Sequence, residues 1–121
     1  MSKTILIVDD SLSMRQLVKA ALTSQGYTVI DACDGVDALS KLSGQRVNLV
    51  ISDVNMPNMD GITFLKELKT KSEHKFTPVI MLTTENQDAK KKEGQAAGAK
   101  AWIVKPFQPP QLLAAVEKLI M

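Results

Sequence analysis

The chain has 121 residues, of which 45% are hydrophobic and 23% charged. That is typical of one globular domain whose core needs no disulfide or structural metal. Its formal net charge of +2 is too small to indicate nucleic acid or an anionic membrane as a partner, and we expect neither. The single cysteine, Cys33, excludes an intrachain disulfide, and we expect it to be a small, partly buried apolar residue.

We expect no secretory leader, because Met1-Ser2-Lys3 runs directly into an apolar segment. No apolar run is long enough to cross a bilayer. We therefore expect a cytoplasmic protein that does not insert into membranes, and we expect a monomer.

Five short apolar segments alternate with five longer segments of helical pattern. In chain order the predicted strands cover residues 4–8, 28–30, 47–52, 79–82 and 102–104, and the predicted helices cover residues 12–25, 36–42, 62–71, 88–97 and 110–120. The first, third and fourth strands are nearly continuous in Ile, Leu and Val, as parallel strands buried on both faces are, whereas the second suits a sheet edge. Strict alternation without a linker predicts one domain over residues 1–121 with a doubly wound α/β fold.

Three predicted helices carry further signals. The first places a set of apolar residues on one face, namely Leu12, Met14, Leu17, Val18, Ala21 and Leu22, and Gly26 follows it as a C-terminal stop. The fourth contains Gly94, a run of three lysines and only alanines to bury, so we expect it to be the most mobile regular element. The fifth can accommodate Pro110 in its first turn.

Polar side chains stand at the ends of four predicted strands. Asp9 and Asp10 follow the first strand, Asp53 ends the third, Thr83 follows the fourth and Lys105 follows the fifth. The carboxyl ends of parallel strands meet at one edge of the sheet, where open α/β proteins bind their ligands. We therefore expect three carboxylates, a hydroxyl and an ammonium group to lie together there.

Three carboxylates in one pocket repel one another unless a cation compensates them. Oxygen donors without His or Cys favour Mg²⁺ or Mn²⁺ over Zn²⁺. Beside such a cation Asp53 could attack phosphorus as an oxygen nucleophile and form an aspartyl phosphate. Lys105 could then pair with the added charge, and Thr83 could donate a hydrogen bond to it.

Each of these residues also has a plain structural interpretation. Asp10 or Ser11 could cap the helix that follows, and Asp53 could belong to a turn. Thr83 could simply end a strand, and Lys105 could be a solvated charge. Capping does not account for such residues at four separate strand ends, so the functional interpretation is preferred.

Four segments resemble the receiver domains of two-component response regulators, and most of all the single-domain chemotaxis type. They are Ile5-Leu6-Ile7-Val8-Asp9-Asp10, Asp53-Val54-Asn55-Met56-Pro57-Asn58-Met59-Asp60-Gly61, Leu82-Thr83-Thr84-Glu85 and Val104-Lys105-Pro106-Phe107. The resemblance covers essentially the whole chain in the family's order, so we expect no output domain. It implies a five-stranded parallel sheet in the order 2-1-3-4-5, the flavodoxin-like (βα)5 fold.

The resemblance also implies roles for the site residues. Asp53 would accept a phosphoryl group from a phosphohistidine on a sensor histidine kinase. Asp10, Asp53 and the backbone carbonyl of Asn55 would bind Mg²⁺ directly, and Asp9 would contribute through water. The Lys105–Pro106 peptide bond would be cis.

The output of such a protein would be binding to a partner that depends on phosphorylation. Thr83 would move toward the phosphoryl group and Trp102 would move inward with it, while Lys91 and Lys92 would lie on the partner-binding surface. The flagellar motor switch is one candidate partner, but it does not follow from the sequence, because Lys91 and Lys92 stand where apolar residues are common and Val54 stands where Trp is frequent. His74, on a polar loop, is expected to be solvated and not to donate phosphate.

Three alternatives remain open. A phosphorelay carrier or phosphate sink would use the same site. A haloacid-dehalogenase-like phosphatase would need an acid at the position of Asn55 to protonate the leaving group. A flavin or nucleotide binder would need a phosphate cradle after the first strand, where Asp9 and Asp10 stand instead. Apart from its own phosphotransfer and dephosphorylation, we expect no enzyme activity.

Overall fold

The structure is a computed structural model that describes residues 3–83 and 88–120, with the backbone alone at residues 88–90. Thr84 and Glu85 of the predicted motif lie outside what it describes, and so does the side chain of Lys90, the first of the three consecutive lysines. The strands are β1 (Thr4–Val8), β2 (Thr28–Ala32), β3 (Leu49–Asp53), β4 (Val79–Thr83) and β5 (Ala101–Val104), and the helices are α1 (Leu12–Ser24), α2 (Gly35–Leu42), α3 (Gly61–Lys69), α4 (Asp88–Ala97) and α5 (Pro109–Leu119). Predicted and observed element boundaries agree to within two residues.

The five strands pair in parallel in the order β2-β1-β3-β4-β5, which confirms the predicted topology. Alternate strand residues point to opposite faces of the sheet and build two cores. On one face Ile5, Ile7 and Ile51 pack with Val18 of α1 and Val116 of α5. On the other face a second core packs against α2 and α3 and includes Leu6, Val8, Val50, Ala38, Phe64, Leu65 and Leu68.

Side-chain caps fix where three helices begin. Ser11 accepts a hydrogen bond from the Met14 amide at the start of α1. Asp34 and Asp60 do the same at the starts of α2 and α3. Such caps satisfy amides that the first helical turn leaves without partners. Each of these helices therefore starts close to the edge where the strands end, and that edge carries the predicted site.

The predicted apolar face of α1 is partly wrong. Leu12 and Leu17 are 58% and 52% exposed, whereas Val18 and Leu22 are buried. The buried stripe follows the four-residue spacing of Met14, Val18 and Leu22, and Leu17 is rotated by about 100° from Val18 toward solvent. Leu17 therefore does not lie on the buried face of α1, although it is adjacent in sequence to Val18.

Two predictions about single residues are wrong as well. Cys33 is exposed rather than partly buried, because it lies in the turn between β2 and α2. His74 is 3% exposed rather than solvated. The turns after α3 fold back, with the His74 amide donating to the Lys71 carbonyl, and His74 lines a cavity of about 240 Å³ together with Leu42.

None of the helices in the described ranges is both long enough and apolar enough to span a membrane.

Candidate functional site

Three carboxylates come together at the carboxyl edge of the sheet, as predicted. One oxygen each from Asp9, Asp10 and Asp53 lies within 4.8 Å of the others. Asp9 and Asp53 are buried, with 1% and 6% of their surface exposed, and Asp10 is exposed. The cluster therefore has a buried floor and an open side through which a ligand could enter.

Backbone hydrogen bonds hold the two buried carboxylates. The amide of Asp9 donates to the carbonyl of Ala32 on β2 at 3.1 Å, and Asp9 Oδ1 accepts from the Ser11 amide at 2.9 Å. Asp53 is the last residue of β3, and its Oδ1 accepts from the Val54 amide at 2.9 Å. Both side chains are therefore oriented by the chain immediately around them.

Lys105 supplies the positive charge of the site. Its Nζ lies 3.1 Å from Asp9 Oδ2 and 3.3 Å from Asp53 Oδ1. The amide of Lys105 donates to the carbonyl of Thr83 at 2.6 Å, and the Lys105–Pro106 peptide bond is cis, as the resemblance implied. Lys105 is thus directed from the end of β5 into the acidic cluster.

Burial and charge shift the pKa values of this pair. Burial raises the pKa of Asp53, and the charge on Asp9 raises it further, while the nearby Lys105 ammonium opposes both effects. Burial alone would lower the pKa of Lys105, but the carboxylates of Asp53 and Asp9 outweigh it, so the pKa of Lys105 is raised. A cation bound at the cluster would favour the ionised form of Asp53.

The other predicted residues lie around this centre. Thr83 is buried at the end of β4, where it pairs with Val104. Asn55 is exposed in the loop two residues after Asp53. The sheet therefore places Thr83 at the same edge as the cluster.

The donor set of the cluster fits a hard divalent cation. All three side chains offer carboxylate oxygens, which Mg²⁺ and Mn²⁺ prefer. A bound cation would also compensate the charge that Lys105 alone leaves unbalanced. Asp9, Asp10 and Asp53 are the residues that could hold it.

Sequence reasoning missed the contacts that hold the loop after Asp53. Asn58 Nδ2 donates to Asp34 Oδ2 at 2.7 Å and so ties this loop to the start of α2. Asn58 has a φ of 67°, a conformation that Asn tolerates better than most residues. A Cβ on Gly61 would lie 2.0 Å from the carbonyl oxygen of Asp53, so only glycine fits there. The motif that begins at Asp53 contains Asn58 and Gly61, but no sequence pattern indicated what these two residues contact.

Arg15 is a further residue that the sequence analysis did not consider. It lies one turn into α1, and its guanidinium donates to the Asp9 carbonyl at 2.6 Å and to Asp31 Oδ2 at 3.1 Å. An arginine shortly after an acidic strand end was the only available signal.

The residues predicted to contact a partner lie on α4 and β5. Lys91 and Lys92 are exposed on α4, and Trp102 on β5 is half-buried. A Cβ on Gly94 would lie 2.5 Å from Cζ3 of Trp102, so the indole packs directly against the α4 backbone. The position of α4 and the position of the Trp102 ring are therefore linked.

Comparison with known proteins places this arrangement in a family. The model for the response regulator receiver domain matches residues 5–117. The chemotaxis protein CheY1 of Helicobacter pylori is 38% identical over 118 residues, covering 96% of this chain and 95% of that protein. The chain spans about half the length of the first curated relatives that it matches.

Solved structures agree with the fold. The chemotaxis protein CheY4 of Vibrio cholerae superposes with a TM-score of 0.94 at 47% identity, covering 99% of this chain and 100% of that one. The receiver domain of a sensor histidine kinase from Pseudomonas aeruginosa, with a magnesium ion coordinated in its active site cleft, has a TM-score of 0.89 at 25% identity, with 98% of each chain covered. The chain therefore belongs to the response regulator receiver domain family.

Proposed function

We propose that this receiver domain is a response regulator whose Asp53 accepts a phosphoryl group from a sensor histidine kinase in a reaction that needs Mg²⁺, and that it signals by binding a partner when phosphorylated, in a pathway of the chemotaxis type. One observation carries the proposal. A buried carboxylate at the end of β3 lies within 4.8 Å of two further carboxylates and 3.3 Å from an ammonium group.

The reaction transfers a phosphoryl group from a histidine nitrogen to a carboxylate oxygen. A carboxylate oxygen of Asp53 attacks the phosphorus of a phosphohistidine, the bond from phosphorus to the histidine nitrogen breaks, and that nitrogen takes up a proton. When bound, Mg²⁺ neutralises charge on the phosphoryl and carboxylate oxygens. Asp10, Asp53 and the carbonyl of Asn55 would hold it, with Asp9 acting through water.

The remaining groups respond to the new charge. A phosphoryl group brings roughly −1.5 to −2 charges at neutral pH. Lys105, already 3.3 Å from Asp53, would pair with it, and the hydroxyl of Thr83 would donate a hydrogen bond to it. Because Trp102 packs against Gly94, a change at the ends of β4 and β5 would reach α4.

Labelling with a small phosphodonor tests the acceptor and its metal requirement. Incubation with acetyl phosphate and Mg²⁺ should add one phosphate per chain, detected as intact mass, and hydroxylamine should remove it, as it does from acyl phosphates. Asp53→Asn and chelation of the metal should each abolish the reaction. Undiminished labelling in either case would refute the proposal.

The residues around the acceptor should differ in whether they affect partner binding or Mg²⁺ affinity. Thr83→Ala and Lys105→Ala should weaken the binding of a partner to the phosphorylated protein, while Mg²⁺ affinity falls much less than in Asp10→Ala. The reason is that neither residue supplies a carboxylate to the metal cluster. Titration calorimetry with Mg²⁺ measures this, and a loss in either variant as severe as in Asp10→Ala would contradict it.

The surface of α4, β5 and α5 is the proposed partner site, and its exposed Lys91 and Lys92 favour an acidic partner. Opposite charges across an interface mainly accelerate association, in a manner that salt screens. Reversing both charges to Glu should slow association and flatten its salt dependence while leaving Asp53 phosphorylation intact. Lys75→Glu, an exposed lysine outside this surface, is the control. Normal binding by the double variant at low salt would show that these lysines only solvate the helix.

A further inference from the structure

We propose that Arg15 is a positioning residue for the metal site, because it fixes the main chain at Asp9 from which the carboxylates of Asp9 and Asp10 are presented. The inference rests on the proposed metal-dependent function of the same cluster. Arg15 touches neither Asp53 nor the oxygens that would bind the metal, and its contact with the site is through the Asp9 carbonyl.

The geometry follows from the position of Arg15 on α1. Long helical side chains point back toward the helix N-terminus. From one turn inside α1, the guanidinium therefore reaches back to the end of β1, where it donates to the Asp9 carbonyl at 2.6 Å. Its Nε donates to Asp31 Oδ2 at 3.1 Å on β2, and the side chain is only 14% exposed.

Asp9 is consequently held on three sides. Its amide donates to the Ala32 carbonyl, its side chain accepts from the Ser11 amide, and its carbonyl accepts from Arg15. The first bond joins Asp9 to the end of β2 and the second joins it to the cap of α1, whereas the third joins it to a side chain of α1 that also binds Asp31 on β2. Asp10 is the next residue, so the same peptide that accepts from Arg15 also sets the direction of the Asp10 side chain.

The charge of Arg15 makes the inference testable, because positioning and simple electrostatics predict opposite results. Asp31 lies between Arg15 and Lys19, whose Nζ is 3.9 Å from Asp31 Oδ1. Removing the Arg15 charge would leave Asp31 less compensated, and added negative charge near the cluster would strengthen the attraction for Mg²⁺. Loss of positioning would instead weaken Mg²⁺ binding. Only arginine combines the charge with two donors at this spacing.

The experiment measures Mg²⁺ affinity by titration calorimetry in wild type, Arg15→Gln, Arg15→Lys and Lys19→Gln. We expect both Arg15 variants to lose about tenfold in affinity, as is usual when a group that orients metal ligands is removed. Arg15→Lys keeps the positive charge. A loss of Mg²⁺ affinity in this variant would therefore come from the altered hydrogen-bonding geometry and not from charge. Lys19→Gln removes a charge from Asp31 without touching Asp9, so its Mg²⁺ affinity should not fall.

A second readout separates positioning from a loss of folding. With acetyl phosphate as donor, both Arg15 variants should need more Mg²⁺ for half-maximal phosphorylation, yet reach the wild-type rate when Mg²⁺ is saturating. Unchanged or tighter Mg²⁺ binding in both variants, with Asp10→Ala still impaired, would overturn this inference alone. A rate that stays low at saturating Mg²⁺ would overturn it too, since the effect would not be on metal binding. If wild type binds no Mg²⁺, the proposed function and this inference fall together.

Discussion

Replacing Asp53 with asparagine removes one charge from the acidic cluster with almost no change in side-chain size. In the absence of metal we expect Asp53→Asn to stabilise the folded protein at neutral pH. Burial raises the pKa of Asp53 despite the nearby Lys105. The folded protein therefore binds a proton at Asp53 more tightly than the unfolded chain does, and the ionised group lowers stability above its folded pKa.

The size of the effect follows from the distances. Two like charges at 4.8 Å, the upper limit for the oxygens of the cluster, repel by about 3.5 kcal/mol at an effective dielectric constant of about 20. Lys105 Nζ at 3.3 Å attracts Asp53 by about 5 kcal/mol on the same scale. The attraction to Lys105 thus exceeds the repulsion from Asp9 by at most about 1.5 kcal/mol. That excess offsets only part of the several kcal/mol that a buried carboxylate loses in hydration. We therefore expect a net gain of about 1–3 kcal/mol.

Urea unfolding in EDTA and in saturating Mg²⁺ measures this gain. A ligand at a hundredfold excess over its Kd stabilises the protein that binds it by about 2.7 kcal/mol. Because Asp53→Asn loses a metal ligand, Mg²⁺ should close the gap or reverse it. The advantage of the variant in EDTA should also fade as the pH falls through the folded pKa of Asp53, where both side chains are neutral.

Asp37→Asn is the matched control, on the neighbouring helix α2. The pKa of Asp37 is lowered, first by the hydrogen bond from the Cys33 amide and then by Lys41. Its carboxylate therefore contributes stability above its unfolded pKa, so the control should be slightly less stable than wild type, equally with and without Mg²⁺. If Asp53→Asn is destabilised in EDTA, or keeps its full advantage in Mg²⁺, the electrostatic reasoning is refuted.

Two glycine substitutions test sites where another group lies too close to the glycine for a Cβ to fit. Gly61→Ala places a Cβ 2.0 Å from the carbonyl oxygen of Asp53, so the backbone must move, and urea unfolding should show a loss of about 3 kcal/mol. A loss below about 1 kcal/mol would mean that the loop can relax. Gly94→Ala places a Cβ 2.5 Å from the only tryptophan in the chain, Trp102, and should shift its fluorescence to the red and increase acrylamide quenching. Gln95→Ala, exposed on the same helix, should leave the spectrum unchanged, and an unchanged spectrum in Gly94→Ala would contradict the packing.

The sheet and the acidic cluster could be predicted from the sequence because both depend on one-dimensional patterns. Continuous apolar strands predicted a parallel sheet, and parallel strands bring their carboxyl ends to one edge. Asp9, Asp53 and Lys105 each stand at a strand end, so their meeting required only the correct topology.

The contacts that orient the cluster could not be predicted in this way. Arg15 and Asp31 lie 16 residues apart, and Asp34 and Asn58 lie 24 apart, with no periodicity to connect them. Such pairs depend on how far a side chain reaches once the helices have docked. His74 was misjudged for a similar reason, since a polar turn buried it only by folding back against α2.

Mapping the modified residue shows directly whether Asp53 is the phosphoacceptor. Borohydride reduces an aspartyl phosphate to homoserine, which marks the acceptor in peptide mass spectrometry after treatment with acetyl phosphate and Mg²⁺. We expect homoserine at position 53 alone, and none when EDTA replaces Mg²⁺. Homoserine at position 9 or 10, or a phosphate retained on His74 with position 53 unmodified, would contradict it.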